Sequence, residues 1–241
     1  MLQSSDGSLP LFRFAGIRVS LHWSWFLVAI YVVTSRAGQY SSLGWNAIEY
    51  ISLFCIVLMH EFGHALACRQ AGGYAERIIL WPLGGIAFVS PPPRPGAHLW
   101  SIAAGPLVNV VLVPVLLLVQ LQADSIDGFG RSTDLGIFLF ELQRINLLLL
   151  IFNLLPIYPL DGGQILRSLL WFGLGPVTSL WIASGLGLVG IAALVGLAFW
   201  SGSLWTGIMA IFLFSSCFSA FRAAAQQRRE DRERRNGPPL D

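Results

Sequence analysis

Residues 51–67 read ISLFCIVLMHEFGHALA, an apolar run that contains His60, Glu61 and His64. The run is typical of a membrane-embedded helix, which needs about 20 residues to cross a bilayer. Residues four apart lie on one face of a helix, so His60 and His64 can present two imidazole nitrogens to one metal ion. Two histidines beside a carboxylate that is not itself a ligand indicate a zinc hydrolase site.

The position of this motif weighs against a chance match. H-E-x-x-H is short and occurs by accident in soluble proteins, and a purely structural polar cluster is the other alternative. Ionisable groups in hydrocarbon cost at least a few kcal/mol each, so three of them on two turns need a compensating partner. A bound metal ion would supply that partner.

The composition predicts an integral membrane protein. The chain has 241 residues, of which 55% are hydrophobic and 12% are charged, and its mean hydropathy is +0.66. We expect an all-α membrane protein with a bundle of about six transmembrane helices. The predicted segments are 18–35, 47–70, 98–122, 136–157, 177–200 and 204–223. Residues 1–223 would form the membrane domain, with its core motifs at 51–166, and residues 224–241 a basic, flexible tail.

The arginines are distributed unevenly between the two predicted sides of the membrane. One side carries Arg36 and Arg131, and the other carries Arg13, Arg18, Arg69, Arg77, Arg94, Arg167 and the tail arginines. The positive-inside rule then predicts both termini in the cytoplasm, with the cell membrane as the location. The bilayer is the expected partner, nothing indicates nucleic-acid binding, and the sequence does not decide the oligomeric state.

Residues 75–95 lie between the second and third segments and are too short and too interrupted for a spanning helix. Pro82 and the glycine pair that follows Leu83 separate two short apolar runs, 78–81 and 86–89, which we expect to form a β-like interfacial loop. Such strands could hold an extended substrate by edge pairing. An interfacial loop that only packs against the bundle is the alternative.

A hydrolytic zinc needs a third protein ligand and an open position for water. Asp161 is the candidate, because it follows a stretch in which Pro156 and Pro159 prevent a regular helix. Irregular backbone at membrane depth is tolerated where it lines a polar cavity or is buried in protein. The alternative is a turn or helix-capping aspartate, a common role for Asp beside Gly.

The chain resembles the site-2 proteases, a family of intramembrane zinc metalloproteases, through two motifs in the family's order. These are His60-Glu61-x-x-His64 and Asn153-x-x-Pro156-x-x-Pro159-Leu160-Asp161-Gly162. The resemblance covers about residues 51–166 and extends to Pro82-Leu-Gly-Gly85 and Ala104-Gly-Pro-Leu-Val-Asn109. The sequence contains neither a PDZ nor a CBS domain, so we expect the minimal six-helix form.

The resemblance implies one zinc ion per chain, on His60, His64 and Asp161. It also implies Glu61 as the general base, and hydrolysis of a peptide bond within or near the transmembrane segment of a membrane-protein substrate. Asn153 could donate a hydrogen bond to the oxyanion. Asn109 is a weaker candidate for that task or for positioning substrate.

Several other polar residues are expected to be structural. Asparagines in membrane helices commonly bond neighbouring helices, which is an alternative role for Asn109 and Asn146. Glu141 and Arg144 are spaced as an ion pair on one helix. The residues interpreted as non-ligands are Cys68, a small buried hydrophobe, and His22 and His98, which fall near segment ends.

A metal transporter or channel is the alternative function. Histidines and carboxylates in membrane helices also line ion pathways, which would account for His60, His64 and Asp161. This alternative gives no reason for Glu61 to follow His60 directly.

Overall fold

The structure is a computed structural model that describes residues 7–36, 38–81, 84–127, 133–202 and 204–236. Pro82, Leu83 and Arg131, which entered the predictions above, lie outside these ranges. The described residues form four strands and seven helices. In chain order they are β1 (Ser8–Phe14), β2 (Ile17–His22), α1 (Ser24–Ser35), α2 (Leu43–Gln70), β3 (Tyr74–Trp81), β4 (Gly84–Ser90), α3 (Pro95–Asp127), α4 (Asp134–Leu154), α5 (Asp161–Leu174), α6 (Pro176–Ser201) and α7 (Leu204–Asn236).

Five helices of the described part are long and apolar enough to cross a membrane. They are α2, α4 and α6 over their whole lengths, Pro95–Ala123 of α3, and Thr206–Glu230 of α7. The predicted class, a helical multi-pass membrane protein with a short β element between its second and third segments, is confirmed. α7 continues through residue 223, where the sequence analysis placed a domain boundary, and that boundary stays a prediction.

The first predicted segment is wrong over its N-terminal part. Residues 17–22 form strand β2 rather than helix, and α1 is only 12 residues long. The physical reason is an alternation with a period of two, in which Ile17 and Val19 are fully buried while Arg18 between them is exposed. A hydropathy window averages over this alternation. Strand β1, whose residues are almost all exposed, was also missed.

The four strands form one sheet in the order β1-β2-β3-β4. β1 and β2 are antiparallel, β2 and β3 are parallel, and β3 and β4 are antiparallel. The two strands predicted within 75–95 are confirmed as parts of β3 and β4. One face of the sheet packs with α2 around a core made of Ile17, Val19, Trp25, Val57, Ala65, Ala75, Ile78 and Leu80.

A charged cluster lies where α2 and α4 begin. Arg36 donates to Glu49 of α2 and, over 3.4 Å, to Glu141 of α4. Arg144 Nη2 donates to the same Glu141 over 2.5 Å, which confirms the predicted ion pair. Tyr40 donates to Glu49 over 2.5 Å, and its burial together with this bond raises the pKa of its phenol well above the usual value.

The chain divides into two compact units, Met1–Pro92 with Ala103–Phe152, and Pro93–Ile102 with Asn153–Asp241. The first unit contains the sheet and α2. The second contains α5, α6 and α7. Pro156 and Pro159 lie between the end of α4 and the start of α5, so the predicted break in the helix is present. In the second unit, Gly187 of α6 lies so close to Tyr158 that an added Cβ would be 2.9 Å from its backbone nitrogen.

Candidate metal centre

His60 and His64 lie on consecutive turns of α2, and both are buried. Their Nε2 atoms are 3.0 Å apart, and the two rings meet edge to face with centroids 4.7 Å apart. The pair therefore presents two imidazole nitrogens to the same small volume, as expected from their spacing along the helix.

Asn109 of α3 fixes the orientation of His60. Its Oδ1 lies 2.6 Å from His60 Nδ1, and its Nδ2 donates to Asn146 Oδ1 of α4 over 2.8 Å. Asn146 Nδ2 donates in turn to the Asn109 carbonyl over 3.0 Å. An amide oxygen only accepts, so His60 Nδ1 must carry the hydrogen, and Nε2 keeps the lone pair that a metal needs.

Both asparagines are fully buried, and the alternative that they bond neighbouring helices is confirmed. The sequence analysis offered Asn109 for the oxyanion or for positioning substrate. In the structure the amide oxygen is engaged with His60 and the amide nitrogen with Asn146. A partner that orients a ligand histidine is a common part of metal sites, but nothing local in the sequence connects residues 60, 109 and 146.

Two glycines allow α2 and α3 to approach closely beside the histidines. A Cβ on Gly63 would be 2.6 Å from the Ala104 carbonyl oxygen, and a Cβ on Gly105 would overlap the His64 imidazole. No larger residue fits at either position without displacing backbone or the His64 ring. These two glycines therefore define how close α3 lies to the metal-ligand face of α2.

Glu61 is buried at 5% exposure and lies against strand β4. A Cβ on Gly85 would overlap the Glu61 carboxylate, so this glycine leaves space for the side chain. β4 is also an edge strand of the sheet, so the carboxylate lies beside a sheet edge. The two interpretations of 75–95, substrate clamp and packed interfacial loop, both stay predictions.

Asp161 lies in the first turn of α5 and is buried. One potential ligand atom from each of His60, His64 and Asp161 lies within 4.8 Å of the other two. Two imidazoles and a carboxylate match the ligand set of catalytic zinc, and the lack of a side chain at Gly105 leaves room for the His64 ring in this group. The predicted metal site is therefore present as a group of suitable donors, whereas the role of each residue stays a prediction.

The remaining polar candidates lie outside this group. Asn153 is half-buried near the end of α4, and its role at the oxyanion stays a prediction. Cys68 Sγ donates to the Tyr74 carbonyl over 3.4 Å. His22 stacks on Trp81 with ring centroids 4.1 Å apart, and His98 packs against Trp171.

A comparison with models of known protein families shows the family to which the chain belongs. The model of Peptidase family M50 matches residues 48–131 and 130–197, more than half of the chain. The chain belongs to Peptidase family M50. The region matched by the M50 model contains His60, His64 and Asp161, together with Asn109, which is bonded to His60, and Asn146, which is bonded to Asn109.

The chain is also similar in sequence to individual curated proteins. A zinc metalloprotease of Methanocaldococcus jannaschii is 36% identical over 181 residues, which are 75% of this chain and 50% of that protein. Stage IV sporulation protein FB of Bacillus subtilis is 30% identical over 154 residues, 62% of this chain and 46% of that protein. The chain thus spans about half the length of these curated relatives.

Among solved structures, the fold of this M50 member is similar to the site-2 protease from Methanocaldococcus jannaschii. The TM-score is 0.65 at 30% sequence identity, and the match covers 89% of this chain and 95% of the other. The resemblance to site-2 proteases inferred from the two motifs is therefore confirmed over nearly the whole chain.

Proposed function

We propose that this protein is an intramembrane zinc metalloprotease that hydrolyses a peptide bond within or near the transmembrane segment of a membrane-protein substrate. The observation that carries the proposal is the buried His60 and His64 pair with Glu61 beside it in a helix long enough to span a membrane. Two histidines that can bind a metal ion, next to a carboxylate that can accept a proton, suit metal-assisted hydrolysis. Membership of Peptidase family M50 supports the same conclusion.

The proposed chemistry divides the tasks among residues of the site. His60, His64 and Asp161 would hold the metal through two imidazole nitrogens and a carboxylate oxygen. Zinc bound there supplies Lewis acidity, which makes water a better acid and polarises the scissile carbonyl. Glu61 takes the proton of the attacking water and returns it to the leaving nitrogen.

Cleavage of a reporter separates this function from metal transport. Purified full-length protein is expected to cut a detergent-solubilised protein that carries a transmembrane segment weakened by glycine or proline, because a helix must unwind before its peptide bonds are accessible. Vesicles containing the protein are expected to take up no more zinc than empty vesicles. Zinc uptake without cleavage would favour the transporter and contradict the proposal.

Asn109→Ala is expected to weaken zinc binding about 10–100-fold, because His60 loses the partner that fixes its tautomer and ring orientation. The measurement is the zinc affinity of the purified variant in competition with a chelator. Asn146→Ala is the graded control, because it removes the outer partner and leaves the bond to His60 in place, so a smaller loss is expected. Unchanged affinity in Asn109→Ala would show that the hydrogen bond does not support the metal.

Asn153→Ala is expected to leave zinc bound and to lower turnover about 10²–10³-fold, because one donor to the oxyanion would be lost. Zinc content and cleavage rate are measured on the same preparation. A rate equal to that of the parent protein would assign Asn153 a structural role.

We also place both termini on the cytoplasmic side of the cell membrane. β2 and β3 are hydrogen-bonded neighbours, and α2, which precedes β3, is long enough to span the membrane. α1 must then carry the chain from the sheet to the far end of α2, although it extends only about 18 Å. Together with α2, α3, α4, α6 and α7, α1 gives six membrane crossings. An even number of crossings leaves both termini on the same side of the membrane.

The positive-inside rule assigns the arginine-rich side to the cytoplasm, so a reporter fused after Asp241 is expected there, and one inserted near Gly128 outside the cell. Protease protection of the two reporters in intact cells provides the measurement. Both reporters on one side would mean that a crossing has been miscounted.

A further inference from the structure

Three arginines lie side by side on one face of the sheet. In the strand register Arg13 of β1 pairs with Arg18 of β2, and Arg18 pairs with Arg77 of β3. Directly paired residues project to the same face. Their neighbours Ile17 and Ile78 project to the opposite face and are fully buried against α2. The arginine row therefore lies on the face turned away from that core.

The directly paired Arg13 and Arg18 bring like charges together, which an anion would relieve. Like charges directly opposite each other destabilise a sheet. Arg77 donates to Ser8 Oγ over 3.0 Å and lies 5.5 Å above the Phe88 ring. An open groove of about 560 Å³ adjoins the row. Among the described residues that line it are Arg13, Arg18 and Arg69 with a single carboxylate, Glu76.

The groove lies where α2 ends. Arg69 belongs to the last turn of this helix, and its side chain donates to the carbonyls of Ala15, in the β1–β2 turn, and of Ala75, in β3. These bonds tie the arginine row to the end of a candidate membrane span. The phosphate groups of a bilayer lie at that level, just outside the hydrocarbon.

An exposed aromatic side chain beside the groove favours a lipid over a soluble anion. Tyr74 of β3 lines the groove and is 75% exposed. Aromatic side chains next to arginines are typical of the interfacial region of a membrane. A site for a soluble phosphate or an acidic peptide would not need such an exposed ring.

We propose that this groove binds the headgroup phosphate of an anionic lipid at the membrane surface where α2 ends. Arg13, Arg18 and Arg69 would contact the phosphate. The acyl chains would extend past the exposed Tyr74 ring. Binding at this site does not require proteolysis, so it can be tested even if the proposed catalytic function fails.

The test measures lipid binding to full-length protein in a neutral detergent. Phosphatidylglycerol and phosphatidylcholine with identical acyl chains are titrated separately, and the bound lipid is counted by native mass spectrometry. The double variant Arg13→Gln with Arg18→Gln is expected to bind phosphatidylglycerol about 30-fold more weakly, since each basic residue near anionic lipid contributes about a factor of five. Binding of phosphatidylcholine should not change.

The matched control is Arg222→Gln with Arg229→Gln, which removes two exposed arginines of α7 and so changes the net charge equally. Its affinity for phosphatidylglycerol is expected to stay within about twofold of the parent value. Glu76→Gln provides an independent variant, because removal of the groove carboxylate should tighten binding about fivefold. That result does not depend on the double variant being able to fold.

Four results would overturn the proposal. These are an equal loss of binding in the two double variants, no loss in Arg13→Gln with Arg18→Gln, no gain in Glu76→Gln, and inorganic phosphate or a polyglutamate peptide binding the parent protein as tightly as phosphatidylglycerol. The last result would identify a soluble phosphate or an acidic chain as the ligand.

Discussion

Glu61→Gln is expected to keep zinc bound and to lower cleavage about 10²–10⁴-fold. Glutamine preserves the size and polarity of the side chain but cannot accept the proton of the attacking water. Gly85 leaves space beside this side chain, so the amide should be accommodated without displacement of β4. The measurement is the turnover of a transmembrane substrate by protein of verified zinc content.

Glu49→Gln is the matched control, because Glu49 is another buried carboxylate of the same helix but belongs to the charged cluster with Arg36. It should lower the temperature of unfolding while leaving turnover within a few-fold of the parent rate. Cleavage by Glu61→Gln at the parent rate would exclude Glu61 as the base, whatever the family relationship.

Asp161→Ala is expected to weaken zinc binding by more than about 10²-fold and to reduce cleavage to background. Loss of a partner that only orients a ligand costs about 10–100-fold in affinity, so loss of a ligand should cost more. His60→Ala and His64→Ala should behave alike, because each removes one donor of the same group. Zinc content after dialysis against a weak chelator provides the measurement.

Asp134→Asn serves as the control for the aspartate. It alters a carboxylate that accepts a hydrogen bond from Ser41 over 2.9 Å and lies outside the metal group. Zinc content should be unchanged in this variant. Full zinc occupancy in Asp161→Ala would instead support the alternative from the sequence analysis, a turn or helix-capping aspartate.

The elements predicted correctly from the sequence are those that a local pattern specifies. The proximity of His60 and His64 follows from their spacing along one helix. The long apolar runs identify α2, α3, α4, α6 and α7. Pro156 and Pro159 mark the break before α5. These features depend on neighbours within a few residues, which a single sequence displays directly.

The missed features depend on contacts between distant parts of the chain. The hydrogen bond between His60 and Asn109 joins residues on α2 and α3, and no periodic pattern in the sequence predicts it. Gly85 and Gly105 stood within stretches that carried the family resemblance, but their contacts with Glu61 and His64 required the packed structure. α5 was missed because its 14 residues are too few to register as a membrane span.

The parallel pairing of β2 and β3 has a consequence for biosynthesis. All of α1 and α2 lies between these strands in the chain. In the proposed six-crossing topology, the sheet can therefore close only after that helical pair has entered the bilayer and returned. A nascent chain in which only one helix of this pair crossed would leave the two strands on opposite sides of the membrane. The β3–β4 hairpin that lies against Glu61 would then lose its neighbour β2.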